Sequence, residues 1–374
     1  MKSKASRFAL IALFLAILYV PGLVWLAAGG RLETPNLENR ELAQWPAFSL
    51  AEIEKLPSRY ESYYRDHLPF RSQLISAYAQ GMRAIFDDSV VTTVTFGKDD
   101  WYFYNNINDG DPIGSYRGDD LFTSAELRQI VVNLRQTQAN LAKQGIEFVL
   151  FIAPNKERVY AEHMPDRFGQ PAEDYAAKQL VEFLRAHSDI RVVYAYDDIM
   201  ALKDALPDTP IYCRTDTHWN GLGSYAAARA LMAELGFTLP PLAMKNVTRS
   251  PSEHKGDLTI LAHLDAVDPG EDAFLVTDDQ RPQYTVQTDS RLMWHIGQGD
   301  PGGKKLFIKT DSFAEAMLPY ILPWFSQSQV YFNELYEETM VDDFQPDVFV
   351  QVCVERYIRK WLTRGPLYTL PENR

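Results

Sequence analysis

Two short segments of this chain carry residue types that together can move an acyl group: Asp216-Thr217-His218-Trp219 and Thr310-Asp311-Ser312-Phe313. In an extended segment residues two apart face the same side, so Asp216 and His218 project together. A carboxylate in that position accepts the Nδ1 hydrogen of the imidazole, fixes its tautomer and stabilises the cation formed on proton abstraction. A helix cap is the competing role, since Asp216 or Asn220 can open the helix beginning GLGSYAAARALM. Ser312 follows the strand-like run KKLFIK and precedes AEAMLPYI. A serine at such a turn exposes its Oγ, and the helix start offers backbone amides to an oxyanion. Yet Ser312-x-x-Glu315 also fits a capping box, in which the hydroxyl is occupied by an amide. Spacing alone leaves both roles open at both segments.

Other candidates are weaker. His67, His163, His187, His254, His263 and His295 are scattered, with no metal-ligand spacing among them, so no metal is expected. The chain has no Gly-rich phosphate loop or dinucleotide fingerprint, and no cofactor is expected. Trp101, Tyr102, Phe103, Tyr104 and Trp294 either stack on sugar rings or fill the core. The two cysteines, Cys213 and Cys353, either pair or remain as buried thiols.

The elements that must position these residues follow from periodicity. Residues 51–86 read as helical, and VVTTVTFGKDDWYFYNN as β-rich with a turn at Gly97–Asp100. From residue 124 apolar strands alternate with helices. The order is a helix over Ser124–Lys143 capped by Ser124, the run EFVLFIAP, a helix near 172–186, IRVVYAY and the strand-like IYCRT. A helix over about Gly221–Leu235, KKLFIKT, a helix over 313–325, SQVYFNEL and PDVFVQVCVER complete the pattern. Residues 237–303 show only short β-like pieces. Such alternation predicts a mostly parallel sheet covered on both faces, with a site at the carboxyl ends of the strands.

Composition narrows the classes. With 37 basic against 50 acidic side chains the net charge is −13, and no basic block follows the first residues, which excludes a nucleic-acid surface. The same balance disfavours a strongly polyanionic substrate unless the groove is locally basic. Lys2, Lys4 and Arg7 precede an uncharged run from Phe8 to Ala28. That run is long enough to span a bilayer, and the basic flank keeps the short end in the cytoplasm. The expected layout is an anchor over 1–30, a juxtamembrane linker over 31–50 and one α/β domain over 51–374 with a helical lead-in at 51–90. A cleaved signal peptide is the alternative to the anchor.

Over most of its length the chain resembles the alginate O-acetyltransferases of the AlgJ/AlgX type, a branch of the SGNH-hydrolase-like superfamily. The resemblance is carried by ENRELAQWP, YESYYRDHLPFRSQLI, GKDDWYFY, FVLFIAPNKERVYAEHMP, RTDTHWNGLGSYAAARALM, GDLTIL, KTDSFAEAMLPYI and PDVFVQVCVER. It implies an SGNH-like three-layer α/β fold in which Ser312 is the nucleophile, His218 the base and Asp216 its orienting carboxylate. It also brings Asn155 and Lys156, at the end of FVLFIAP, to the same cleft as oxyanion or substrate contacts, with Tyr160 and Trp219 as further candidates. The serine follows the Asp-x-His pair in the chain, as in that branch and unlike typical SGNH hydrolases. The chain stops soon after its last predicted strand, which matches the single-domain AlgJ-like layout.

The resemblance implies an O-acetyltransferase on the periplasmic side of the inner membrane, working through an acetyl-serine on an exopolysaccharide such as alginate. A membrane-bound O-acyltransferase is the implied source of acetyl groups. An acetylesterase with the same triad, or a non-catalytic scaffold of an export complex, are the rivals.

Overall fold

The computed structural model describes residues 4–27, 42–277, 282, 285–290, 293–296 and 303–370. The chain forms two compact units, residues 1–91 with 259–268, and residues 92–258 with 269–374. Of the expected linker over 31–50, residues 31–41 lie outside those described.

In the first unit the uncharged N-terminal run forms the helix Lys4–Ala27, with Pro21 inside it. Its 21 residues from Arg7 to Ala27 are long and apolar enough to cross a membrane, and they fit a single-pass anchor. The lead-in predicted as one helix is broken. A 3-10 turn Leu50–Lys55 leads into helix Leu56–Asp66, and a second helix runs Arg71–Phe86. Pro69 causes the break, because proline disfavours helical backbone in the residue before it and lacks an amide. Phe70 then turns the chain with φ 63°.

The second unit is built around a sheet. Strands β1 (Val94–Phe96) and β2 (Tyr102–Tyr104) form a hairpin about the predicted turn. The remaining strands are β3 (Glu147–Ala153), β4 (Arg191–Tyr194), β5 (Val247–Ser250), β6 (Ala273–Val276), β7 (Val286–Ser290), β8 (Met293–Ile296), β9 (Lys305–Thr310), β10 (Gln327–Phe332) and β11 (Val348–Val354). A seven-stranded sheet has the order β4-β3-β11-β9-β10-β8-β7. From β4 to β10 the strands are parallel, and β8 and β7 close that edge antiparallel. The fold is therefore an α/β layer structure with a mostly parallel sheet, and β5 pairs with β6 apart from the main sheet.

Alternation along β3 assigns its two faces. Phe148, Leu150 and Ile152 pack with residues of helices Ser124–Ala142 and Ala176–His187. Val149, Phe151 and Ala153 pack with Leu222, Ala227 and Leu231 of helix Gly221–Glu234. Burial on both faces explains why these strands read as unbroken apolar runs.

Several boundaries differ from expectation. Thr123, not Ser124, caps its helix, with a reciprocal bond from Glu126, because that pair has the capping-box spacing. The segment IYCRT is not a strand. It is an irregular loop closed by one bridge between Tyr212 and Trp219; apart from the Tyr102 amide of β2 donating to the Arg214 carbonyl, residues 213–217 bond mostly to charged side chains and form no ladder. The helix expected over 313–325 is a 3-10 turn Ser312–Met317, one helical turn Leu318–Ile321 and a further turn Leu322–Trp324. Pro319 and Pro323 each begin a new piece because neither can donate to the preceding turn. Cys213 and Cys353 are unpaired thiols, the second fully buried.

Candidate active site

The loop after Tyr212 has no ladder of its own, so side chains must satisfy its backbone. Lys156, 2% exposed at the end of β3, donates to three of its carbonyls: Cys213 and Arg214 at 3.0 Å each, and Asp216 at 2.7 Å. Glu271 accepts from the amides of Arg214 at 2.8 Å and Thr215 at 2.7 Å. Asp257 accepts from the amide of Thr217 at 2.8 Å and from its hydroxyl at 2.6 Å. Burial pushes the Lys156 ammonium below its ordinary range, against the pull of Glu157 and other carboxylates. A Cβ on Gly256 would lie 2.1 Å from the Thr215 carbonyl oxygen, so only glycine lets the Asp257 segment approach this closely.

Held this way, Asp216 and His218 meet side by side, in an irregular loop rather than the extended segment expected. Asp216 Oδ1 lies 2.6 Å from His218 Nδ1 and also accepts the His218 amide at 2.9 Å. Its Oδ2 accepts the Asp257 amide at 3.0 Å. Asn220 caps the following helix through the amides of Leu222 and Gly223, which leaves Asp216 free of that duty.

Ser312 completes the row. Its Oγ lies 2.7 Å from His218 Nε2. The capping box read from Ser312 and Glu315 does not form. Asp311 is the cap instead, its Oδ1 accepting from the Phe313 amide at 3.1 Å. The serine hydroxyl is thereby available to the imidazole. Trp219 joins the two segments, its indole donating to the Phe313 carbonyl at 3.1 Å while its ring packs edge-on against Phe313.

Electrostatics suit a proton acceptor beside a serine. Burial pulls the His218 imidazole down, but the hydrogen bond and charge of Asp216, with the charge of Asp257, raise it above an ordinary histidine. Burial pushes Asp216 up, yet the hydrogen bond and charge of His218, together with the amides of Asp257 and His218, outweigh it and hold the carboxyl well below the usual carboxylate range. Burial and the neighbouring Asp216 raise Asp257. Ligand atoms of Asp216, His218 and Asp257 lie within 4.8 Å of one another. Both ring nitrogens are hydrogen-bonded, by Asp216 and Ser312.

The remaining predicted residues divide. Asn155 sits beside the last strand: its amide donates to Glu355 Oε2 at 3.0 Å and its Oδ1 accepts the Arg356 amide at 3.3 Å. Its buried Nδ2 has no partner among the described residues. Tyr160 is 5% exposed; it stacks on Trp101 with centroids 4.0 Å apart and accepts the Ile211 amide at 2.9 Å. Lys156, Tyr160 and Trp219 are thus turned into the fold, holding backbone. Trp101, Tyr102 and Phe103 are buried and Tyr104 is half-buried, whereas the Trp294 side chain lies outside the described residues. Asp257 and Glu271 had no signal in spacing, because each acts on backbone amides distant in sequence, whereas Asp311 caps the amide two residues on, beside a serine that suits the same role.

A cavity of about 730 Å³ opens on one side of the loop, lined by Trp101, His163, Lys203, Arg214, Glu271 and Phe274 among others. A smaller one of about 360 Å³ is lined by Asp216, His254, Phe274 and Tyr320 among others.

Residues 94–294, more than half of the chain, match the family described as "SGNH hydrolase-like domain, acetyltransferase AlgX". The chain belongs to this family. Asp216 and His218 lie inside the matched span, and Ser312 lies beyond its end. Among curated relatives, the protein named "Probable alginate O-acetylase AlgJ" of Pseudomonas aeruginosa is 28% identical over 304 residues, covering 79% of this chain and 71% of that one. Its namesake from Pseudomonas syringae pv. tomato is 26% identical over 267 residues, and the match spans 62% of that protein's length. Two solved structures share the fold at 14% identity. They are PatB1 of Bacillus cereus with a sulfonyl adduct, at TM-score 0.53 over 73% of this chain and 99% of that one, and a DHHW family protein from Eubacterium siraeum, at TM-score 0.53 over 75% and 99%.

Proposed function

We propose that this family member is an O-acetyltransferase that moves acetyl groups to hydroxyls of an exopolysaccharide through an acetyl-serine. The observation that carries the reading is the unbroken row from Asp216 through His218 to Ser312, with the serine released from capping by Asp311. In the first half-reaction His218 Nε2 takes the Ser312 proton as Oγ attacks the acetyl carbonyl of a donor. The imidazolium, steadied by Asp216, returns that proton to the leaving group. In the second, a sugar hydroxyl gives its proton to His218 and attacks the acetyl-serine; the bond from Ser312 Oγ to the acyl carbon breaks, the imidazolium returns the proton to Oγ, and the O-acetyl sugar leaves. Asn155, with its unpartnered Nδ2, is our candidate side-chain donor to the oxyanion.

The relatives' name supports alginate as acceptor, and a membrane-bound O-acyltransferase is the donor partner we propose. A single-pass anchor with the catalytic unit outside the cytoplasmic membrane keeps the enzyme near such a donor, raising effective concentration without further contacts.

The test is intact-mass analysis of the full chain after exposure to an activated acetyl ester, followed by addition of polysaccharide acceptors. One added acetyl on the native protein is expected, absent from Ser312→Ala and discharged faster by acceptor than by water. Equal labelling of native protein and Ser312→Ala would remove the triad from the reading. Discharge to water alone, unchanged by any acceptor, would make the protein an esterase.

A further inference from the structure

The first unit carries an uncharged helix face next to the end of the apolar N-terminal helix, and we infer that this face rests on the lipid bilayer surface. The inference goes beyond the acetyl-transfer chemistry and rests on the anchor reading of helix Lys4–Ala27.

Helix Leu56–Asp66 is fixed in depth by its contact with the apolar helix. The rings of Trp25 and Tyr64 meet edge-on at 6.3 Å, and a Cβ on Gly22 would lie 3.2 Å from the Tyr64 hydroxyl. Trp25 stands near the carboxyl end of a 21-residue span. At about 1.5 Å per residue that span matches the roughly 30 Å hydrocarbon core, so Tyr64 lies at its boundary. Further aromatics gather there. Trp45 packs edge-on against Tyr60 at 5.6 Å and Tyr63 at 5.0 Å, and Tyr63 stacks on His67 at 4.0 Å. Tryptophan and tyrosine concentrate where a bilayer meets water, since each has an apolar body and a polar tip.

Only four residues, His67 to Phe70, join this helix to Arg71–Phe86. Five steps of chain span at most about 18 Å, so the second helix starts close to the same layer. Its exposed arc consists of Gln73, Leu74, Ala77, Tyr78, Ala84 and Ile85, with no charge among them. Leu74, Tyr78 and Ile85 are 47%, 62% and 74% exposed, and Phe86 beside them is 66% exposed. These positions recur at helix spacing, while Ala79 is buried on the opposite side. An apolar stripe beside a membrane span has the acyl-chain boundary as its nearest apolar phase.

The experiment is spin-label accessibility on the full chain, anchor included, in mixed phosphatidylethanolamine and phosphatidylglycerol vesicles. Labels are placed singly at Leu74→Cys, Tyr78→Cys and Ile85→Cys in a Cys213→Ser background, with Glu182→Cys as a solvent reference. A ratio of oxygen to nickel-chelate collisions several-fold above the reference at all three positions is the expected result. A ratio equal to the reference places the face in water and overturns the proposal. Shielding from both reagents also overturns it, because the face would then be covered by protein.

Discussion

Asp311, at the end of β9, reaches the backbone amide of Val354, the last residue of β11, with its Oδ2 at 2.6 Å. Its other oxygen caps the turn that begins with Ser312. One buried carboxylate therefore ties the Ser312 turn to the neighbouring strand and takes over the cap that the serine would otherwise make. Asp311→Ala should strand the Val354 amide and lower stability by about 2 kcal/mol. Acylation of Ser312 should fall by more than that loss of folded protein explains. Denaturant midpoints and single-turnover acetylation on the same samples check this, and an unchanged acylation rate would refute the role.

The pH dependence follows from the raised His218. The imidazole accepts a proton only when neutral, so activity is lost as pH falls through its folded-state pKa. Asp216 and Asp257 raise that pKa, placing the acid limb of acylation on the alkaline side of an ordinary histidine, about 6.5. Asp257→Asn removes one raising charge, and the limb should move to lower pH. Acylation rates across pH for both proteins decide it, and an unmoved limb counts against Asp257 as an electrostatic partner.

Asp216→Asn should cost far more than a limb shift. The amide cannot hold the same tautomer, and losses of about 10³ to 10⁴ in turnover are expected for such a change. Acetyl-enzyme formation with an activated ester is the readout, and a loss below about tenfold would argue that another group orients His218.

Lys156→Met should leave the carbonyls of Cys213, Arg214 and Asp216 without their shared donor, at a stability cost of about 3 kcal/mol. Arginine should not rescue it, because a planar fork does not fit three carbonyls gathered about one ammonium. Thermal unfolding with acetylation assays tests both variants, and a fully active Lys156→Met would exclude a positioning role.

Much of this was legible in the chain. The runs that became β3, β9 and β11 are apolar throughout because both sheet faces are covered, and Asp216, His218 and Ser312 were visible as types at strand or loop ends. The loop over 213–218 was misread as the end of a strand because Ile211, Tyr212 and Cys213 have strand-like composition. What excludes a strand there is Lys156, more than fifty positions earlier in sequence. The capping of Asp311 over Ser312 was hidden for a related reason. Two adjacent residues both suit a cap, and the amide of Val354, which draws Asp311 inward, belongs to a strand not yet formed when the sequence is read locally.

Gly256→Ala should separate position from stability. The added carbon meets the Thr215 carbonyl and displaces the Asp257 amide from Asp216. We expect acylation to fall about tenfold or more, with no recovery on adding Thr215→Gly in the same chain, because the contact is with main chain that glycine keeps. Acylation rates of the single and double variants provide the measurement.

Lys156 grips the loop by its carbonyls, which every amino acid possesses, and not by its side chains. Positions 213 and 214 can therefore change identity without altering how Asp216 and His218 are presented. Arg214 is exposed and lines the larger cavity. Side-chain identity at this rim is thus separable from the main-chain hold on Asp216 and His218.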